Sequence, residues 1–460
     1  MNASSTNHAE TLHQPIVVVG GGPAGALLAT YLGRSGHDVT LYESRPDLRT
    51  NEIDAGRSIN LALATRGIVP LIDIGVIDRV DAITIPMRGR MIHAADELAP
   101  TLQPYGARPH EVIHSVSRSD LNAILLDAAE ATGRVTVEFE REVAEVRFSD
   151  STLVLADGST VPFGVVFGAD GAGSPVRAAI TNAGAGKAHT EWLGHDYKEL
   201  TLPPNPDGSH RLDPNALHIW PRGEFMLIAL ANPEGDFTVT LFAPSETFET
   251  LTTPDDVERF FASEFGDFVP MVPDLVEQFF DNPTGVLGTI RATGWSYEDR
   301  AVVLGDAAHA IVPFHGQGMN AAMESARSLA AHLAANPHNI RQAFVDYETE
   351  RKPSTDAIAD MAIDNYVEMR AGVIDPDYVA KRTLALELER RHPDHLSPRY
   401  NMVMFSTMPY AEAKARAERQ AEIIAAAIAD PALDVDALVA ALPPLPELDP
   451  LMAPDALSIS

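Results

Sequence analysis

The sequence predicts an α/β fold: a buried parallel sheet with helices, interrupted by a second, β-rich unit and followed by a helical C-terminal region. Three observations predict it. The β-branched run Ile16–Val17–Val18–Val19 leads through a glycine turn into a helical pattern, and two later valine-rich runs end on Gly168–Ala169–Asp170–Gly171 and Gly305–Asp306. Between about Glu191 and Ile290 the pattern changes to antiparallel-type strands. From about Ala321 to Leu442 the spacing is mostly helical.

The elements follow in order. After the first strand a helix is expected from about Pro23 to Arg34, ending near Gly36, then a second buried strand, Val39–Thr40–Leu41–Tyr42, closing on Glu43. Together they make a βαβ unit of about thirty residues. Ser119 to Thr132 carries Leu121, Ile124, Leu125, Ala128 and Ala129 at helical spacing and leads to the alternating strand Val135–Val137–Phe139. Leu153 to Ala156 and a run from Val161 to Gly168 predict a hairpin around Asp157–Gly158. Phe225–Leu230 and Phe237–Phe242 predict strands of a separate sheet, and Ala301–Leu304 returns to the buried style. The prolines at 443, 444, 446, 450 and 454 mark a loosely ordered tail.

Composition narrows the function classes. The chain has 460 residues, 45% of them hydrophobic, which is enough for a sizeable core in two or three units. A formal charge of −31 argues against nucleic acid or an anionic membrane as partner. There is no cysteine, which excludes disulfides, thiolate metal sites and cysteine nucleophiles, so any redox chemistry must come from an organic cofactor. Met1 to Gln14 carries no signal-peptide pattern, and no window approaches the roughly 18 apolar residues that cross a bilayer. Ile423 to Leu433 comes nearest and is broken by Asp430 and Pro431. A soluble, cytoplasmic protein is expected.

Gly20-x-Gly22-x-x-Gly25 lies directly after a buried strand and opens a helix, the context a dinucleotide fingerprint requires. Gly20 permits the tight turn, Gly22 lets backbone approach a pyrophosphate, and Gly25 lets the helix pack on the strand. The helix N-terminus presents free N–H groups to phosphate. Glu43 stands where a carboxylate can accept ribose hydroxyls. Which dinucleotide is bound depends on the later pieces: Gly168–Ala169–Asp170–Gly171 with Ser174 and Arg177, and Gly305–Asp306–Ala307–Ala308–His309 with Pro313 and Gly316–Gln317–Gly318–Met319–Asn320. Each puts a carboxylate and glycines at a strand end. In the second, a helix begins just after the glycines, so its N-terminus can stabilise negative charge.

These three pieces, in this order and spacing, resemble the flavin aromatic hydroxylases of the p-hydroxybenzoate hydroxylase fold, and so imply a Rossmann-like FAD-binding domain. More specific strings resemble the kynurenine 3-monooxygenase family: Gly56 to Leu63, Ile85 to His93, Ser115–Val116–Ser117–Arg118 with Leu121–Asn122, and Asn365 to Arg370. Similarity runs from about Ile16 to Tyr410. The resemblance implies that FAD contacts Ala24, Tyr42, Glu43, Ser44, Arg45, Ala62, Arg118, Val143, Asp306, Met319 and Asn320, beside Gly20, Gly22, Gly25, Asp170 and Gly318 of the motifs. It implies Arg90 and Tyr105 on the substrate carboxylate, with Asn365 and Tyr400 completing an amino-acid clamp. Arg suits a carboxylate because its planar fork donates two parallel hydrogen bonds.

The implied reaction consumes NADPH and dioxygen and hydroxylates the aniline ring of a small aromatic amino acid through a flavin hydroperoxide. Accordingly no side chain is assigned a catalytic role and no metal is expected. The protein contributes orientation and exclusion of water. Monomer and homodimer stay open. So do a hydroxylase for salicylate- or anthranilate-type acids and a flavin-binding sensor without turnover. A tryptophan halogenase lacks its Trp-x-Trp-x-Ile-Pro string here, and a plain NAD dehydrogenase leaves the later Gly–Asp motifs unexplained.

Some residues have ordinary readings. Arg88 and Arg90 share a strand face, and only one need reach a ligand. Tyr105 can be loop packing, and Asp364 with Glu368 reads as a solvated or ion-paired helix face. His93, His309 and His315 have no metal spacing and are assigned nothing. His315 stands where some relatives carry an aromatic residue, and Pro175 replaces an expected hydroxyl residue. The expected organisation is FAD-binding parts at 14–80, 111–185 and 291–345, substrate-domain strands at 81–110, a β-rich substrate domain at 186–290, a helical region at 346–440 and the tail at 441–460.

Overall fold

A computed structural model describes residues 15–50, 60–95, 99–106, 111–370 and 376–446. The N-terminal stretch to Gln14, the Gly56–Ile59 part of one family string and the tail from residue 447 lie outside the described residues. Three sheets carry the expected architecture, and a fourth, small one joins them.

The first sheet has six strands, in the order Ser296–Tyr297, Ala301–Val303, Val165–Gly168, Ile16–Val19, Val39–Tyr42 and Val135–Glu138. All pair in parallel except the two-residue edge strand Ser296–Tyr297. Ile16–Val19 is buried throughout, which is why four β-branched residues in a row suit it: both faces are covered. The helices Pro23–Arg34 and Gly318–Ala335 pack on one another and share its core through Leu27, Leu28, Met323 and Leu329. The strand bounds Ile16–Val19 and Val39–Tyr42 and the helix Pro23–Arg34 fall where the sequence puts them.

The second sheet has seven strands, from Thr284–Thr293 through Lys187–Leu202, Phe237–Pro244, Phe225–Ala231, Leu217–Arg222 and Gly89–Ile92 to Thr101–Pro104. Its pairing is antiparallel except between Leu217–Arg222 and Gly89–Ile92. One face packs on the helices Pro254–Glu264 and Leu275–Asp281 through Phe261, Phe265 and Phe279. The other packs on Phe314, in the turn before the Gly318–Ala335 helix, and on Tyr366 and Met369 of the long helix Ile340–Arg370. The sheet is therefore a partition, and the site lies on this second side.

Two sequence expectations need correction. The β-rich stretch also contains three helices between Ser245 and Asp281. Thr253 and Asp256 form a capping box with Pro254 at the first position, and Val257 and Phe261 follow at helical spacing. The run from Val161 to Gly168 is two strands: Thr160–Pro162 completes the hairpin, while Val165–Gly168 enters the parallel sheet. Pro162 has no N–H to continue a ladder, and the chain crosses over at Phe163–Gly164, where Gly164 N–H donates to Pro15 O at 2.8 Å.

A small antiparallel sheet of Asn60–Leu63, Ile113–Ser117 and Thr84–Met87 joins the two large ones. Asn60 Nδ2 donates to Ser115 Oγ at 3.1 Å and to Ala231 O at 3.0 Å, which ties it to the seven-stranded sheet. The strands between 84 and 104 thus divide between two sheets. Helices Pro376–Arg391, Arg399–Met404 and Tyr410–Ala429 close over the far end of Ile340–Arg370.

Candidate active site

The glycine motif is a turn at the carboxyl end of the parallel sheet, where open α/β sheets bind their ligands. Gly20 has φ +99°, and a Cβ there would lie 2.3 Å from Ala169 O. A Cβ on Gly25 would lie 1.9 Å from Gly20 O. The protein's own packing therefore demands both. Gly22 differs: its φ is −70°, and an added Cβ would meet nothing within 4 Å. Nothing in the protein requires glycine at that position, and the open space suits a pyrophosphate at the helix N-terminus.

Glu43 is buried and accepts Gly21 N–H at 2.7 Å and Arg45 Nε–H at 2.8 Å. Burial opposes its charge, but the bonds from Arg45 and Gly21 overcome this and hold the carboxyl below its usual range. The segment after the sixth strand runs alongside: Arg141 N–H donates to Glu43 O at 2.9 Å and Glu140 N–H to Arg45 O at 3.1 Å. That sets the chain just before Val143 against Glu43 and Arg45. On the other side, Gly305 abuts the first helix, since a Cβ on it would lie 3.3 Å from the Ala24 side chain.

Asp306 follows directly and is exposed at the mouth of this strand end. Burial pushes the Asp170 carboxyl up to about 6, against bonds from Ser174 and the Val176 N–H. One Asp170 oxygen has no hydrogen-bond partner among the described residues. Acids with unused capacity at two adjacent strand ends fit a ligand rich in hydroxyls. Gly316, at φ +63°, would bring a Cβ within 3.0 Å of Ala62. The helix at Gly318 begins beyond it, with Met319 packed on the core. Asn320 is fully committed: it accepts Ala64 N–H at 2.9 Å and donates to Ala62 O at 2.8 Å and Gly316 O at 2.7 Å. Its side chain is a latch, so any contact it makes with a cofactor runs through its main chain.

The four expected clamp residues come together. Arg90, Tyr105, Asn365 and Tyr400 line one cavity, although they lie on a strand, a loop and two helices. Arg90 is 3% exposed while Arg88 faces solvent, which decides between the two arginines. The Arg90 guanidinium lies over the Tyr400 ring at 4.5 Å, with Nη1 3.5 Å from Glu368 Oε1. Burial works against its charge, yet Tyr400, Glu368 and Tyr105 raise its pKa on balance. Its Nε has no partner among the described residues, and the Tyr105 hydroxyl faces Arg90 and Tyr400 without a well-formed bond. Such atoms are costly to bury empty-handed, so they suit an incoming carboxylate. Asn365 Nδ2 donates to Phe314 O at 2.6 Å, which leaves the amide oxygen for a ligand.

The structure adds Glu368 to this set. Arg399 bridges Asp364 and Glu368 at 3.3 Å each, so the ion-paired reading of that helix face holds. Glu368 also reaches Arg90, accepts the Tyr378 hydroxyl and lines the cavity. A signal was present: Asn365 and Glu368 are three apart and share a helix face. Walls from Leu386, Leu396 and Ile424 close the cavity's far side. Among the described residues no acid–histidine group could hold a metal, and no helix is long and apolar enough to cross a membrane.

His309 and His315 are buried and His93 is half-buried, and all three are held neutral. Burial lowers His93 to about 4, helped by His218; it lowers His309 to about 3, helped by Arg351, and His315 to about 3, helped by Arg399 and Arg90. His309 Nε2 lies 3.0 Å from Ser325 Oγ, and His315 stacks on Tyr400 with ring centroids 5.2 Å apart. Each takes up its proton in the unfolded chain near pH 6.5 but in the folded one only near pH 3 to 4. Stability is therefore full above about 6.5 and falls as pH drops towards 4, by at most about 1.4 kcal/mol per unit for each histidine. Urea midpoints measured between pH 7.5 and 5 should decline with this sign, and more shallowly in the His93→Phe variant.

The model of the FAD binding domain family matches residues 13–362. Kynurenine 3-monooxygenase of Stenotrophomonas maltophilia (strain K279a) is 47% identical over 418 residues, 89% of this chain and 91% of that protein. The enzyme of the same name from Myxococcus xanthus (strain DK1622) is 45% identical over 410 residues, 87% and 88% of the two chains. Among solved structures, the tetrameric form of 2-methyl-3-hydroxypyridine-5-carboxylic acid oxygenase superposes with TM-score 0.66 at 21% identity, over 81% of this chain and 96% of that one. Pseudomonas aeruginosa PqsL, in complex with 2-aminobenzoylacetate, gives 0.64 at 20% identity, over 78% and 97%. At these identities the structural likeness is one of fold.

Proposed function

Because the chain belongs to the FAD binding domain family and, within it, to the kynurenine 3-monooxygenases, we infer that it converts L-kynurenine to 3-hydroxykynurenine with FAD, NADPH and dioxygen. The observation that carries the substrate assignment is the convergence of Arg90, Tyr105, Asn365, Tyr400 and Glu368 on one cavity. A free amino acid presents a carboxylate and an ammonium two bonds apart. Arg90, with the phenols of Tyr105 and Tyr400, takes the first, and Glu368 with the Asn365 amide oxygen takes the second. A simple aromatic acid needs only the arginine.

FAD, when bound, supplies the reducing equivalents and the activated oxygen. The residues proposed to hold it are those of the glycine turn, Tyr42 to Arg45, Ala62, Arg118, Val143, Asp170, Asp306 and the start of the Gly318–Ala335 helix. Everything else is positioning. The clamp fixes the amino-acid end so that the ring carbon beside the aniline nitrogen has one orientation. Burial of Arg90 and Tyr105, with the half-buried Tyr400 beside them, keeps water from the amino-acid end. The chain's own acids need not move a proton from the ring before oxygen transfer, since the aniline nitrogen already enriches that carbon.

The test is a visible spectrum followed by NADPH oxidation with and without L-kynurenine, with the product identified. A yellow protein that makes 3-hydroxykynurenine in a kynurenine-dependent reaction is expected. A yellow protein that oxidises NADPH equally with and without kynurenine refutes the substrate assignment. Glu368→Gln is expected to raise KM for kynurenine about tenfold, the worth of one charge-assisted bond, with less effect on kcat. Kynurenine titrations of both proteins measure it; an unchanged KM removes Glu368 from the ammonium site.

A further inference from the structure

The Gly316–Gln317–Gly318 turn leads into the helix Gly318–Ala335, and glutamine is its one side chain. Gln317 is 0% exposed, so the turn is anchored inward. Its Oε1 accepts the Tyr410 hydroxyl at 2.6 Å, and its Nε2 lies 2.9 Å from Met404 Sδ. Both partners come from the C-terminal region. Met404 ends the Arg399–Met404 helix that begins beside Tyr400, and Tyr410 opens the Tyr410–Ala429 helix.

Tyr410 is itself held. It is fully buried, and burial raises its pKa, so the phenol stays protonated and can donate. The Arg66 guanidinium lies over its ring at 3.9 Å. Arg66 in turn donates to Met408 O and to Val403 O, and pairs with Glu324 at 2.8 Å. Glu324 also pairs with Arg351 at 2.8 Å, so three helices brace the tyrosine. A surface contact would be loose; this one is rigid from Arg351 to the turn.

We propose that Gln317 and Tyr410 are a positioning pair: Tyr410 holds the Gln317 side chain, and through it sets where the N–H groups that open the Gly318–Ala335 helix point towards the flavin. This rests on the reading of the site as a flavin site. The C-terminal segment that carries Tyr400 thereby also shapes the cofactor end. Apart from this hydroxyl, the Gln317 amide reaches the Met404 sulfur, a weak acceptor, and at 3.5 Å the Gly316 carbonyl of its own turn, which moves with it. The turn's backbone is separately latched by Asn320, so loss of the pair should shift the turn without unfolding it.

The test compares the FAD-loaded wild type with Tyr410→Phe, Gln317→Leu and the double variant. Phe keeps the ring under Arg66 and removes only the hydroxyl. Each single variant should bind FAD stoichiometrically and keep KM for kynurenine within about twofold. Each should lower kcat and shift the reduction equilibrium about fivefold, the worth of one neutral hydrogen bond. For a two-electron couple that shift is about 20 mV towards more negative potential. The double variant should be no worse than either single one, as for residues that act through each other. An unchanged potential, effects that add, a change confined to KM, or loss of FAD from Tyr410→Phe would each overturn the proposal. Failure of the functional reading looks different, because the wild type itself would then bind no FAD.

Discussion

Arg90→Gln is expected to lower kcat/KM for kynurenine by roughly two to three orders of magnitude. The guanidinium offers a carboxylate two parallel charge-assisted bonds, and losing both costs about 3–4 kcal/mol, at 1.4 kcal/mol per factor of ten. The loss should appear mainly in KM, because the carboxylate is distant from the reacting ring and is held equally in the ground and transition states. Arg90→Lys should recover part of the charge but not the fork geometry, and so fall between. Arg90 sits on the seven-stranded sheet, not on the glycine turn, so FAD content should not change. Steady-state rates across kynurenine concentrations, with flavin absorbance as the control, decide the matter. A variant with wild-type KM would move the carboxylate elsewhere.

The second large effect separates two glycines three residues apart. Gly22→Ala adds a methyl to open space at an ordinary φ, so the apoprotein should melt within about 1 kcal/mol of wild type. Its FAD affinity should fall by roughly two orders of magnitude, about 2.7 kcal/mol, because the methyl stands where the pyrophosphate must approach. Gly25→Ala instead drives a Cβ into the Gly20 carbonyl, which cannot yield without breaking the strand-to-helix packing. That variant should lose apoprotein stability and cofactor together. Calorimetry of the apoproteins and FAD titration read the two separately. If Gly22→Ala bound FAD as well as wild type, the turn would not be the pyrophosphate site.

The sequence showed the cofactor end far more completely than the substrate end, and the reason is local. Gly20, Gly22, Gly25 and Glu43 lie within one βαβ unit, so spacing along the chain is also spacing in space. Asp170 and Asp306 were legible because each follows its own buried strand. The clamp is different: Arg90, Asn365 and Tyr400 meet only through tertiary packing, and without a resemblance nothing in their spacing unites them. Glu368 reads from the sequence as part of an ion-paired face, which Arg399 bears out, and its place on the cavity wall is visible only in three dimensions. The helices from Ser245 to Asp281 were passed over beside strong strand runs, although Thr253 and Asp256 marked a start. Gln317 and Tyr410 are 93 residues apart, and no periodicity could have joined them.

The order of strands in the six-stranded sheet has a consequence for how the chain is made. Ile16–Val19 is flanked by Val39–Tyr42 and by Val165–Gly168, which in turn needs Ala301–Val303 as its neighbour. During synthesis the sheet therefore carries a bare, apolar edge until more than 300 residues have left the ribosome. Parallel pairings between such distant segments form late, because loop closure precedes any reward. Over that interval the nascent protein is aggregation-prone, which makes its yield sensitive to translation speed, temperature and chaperone supply.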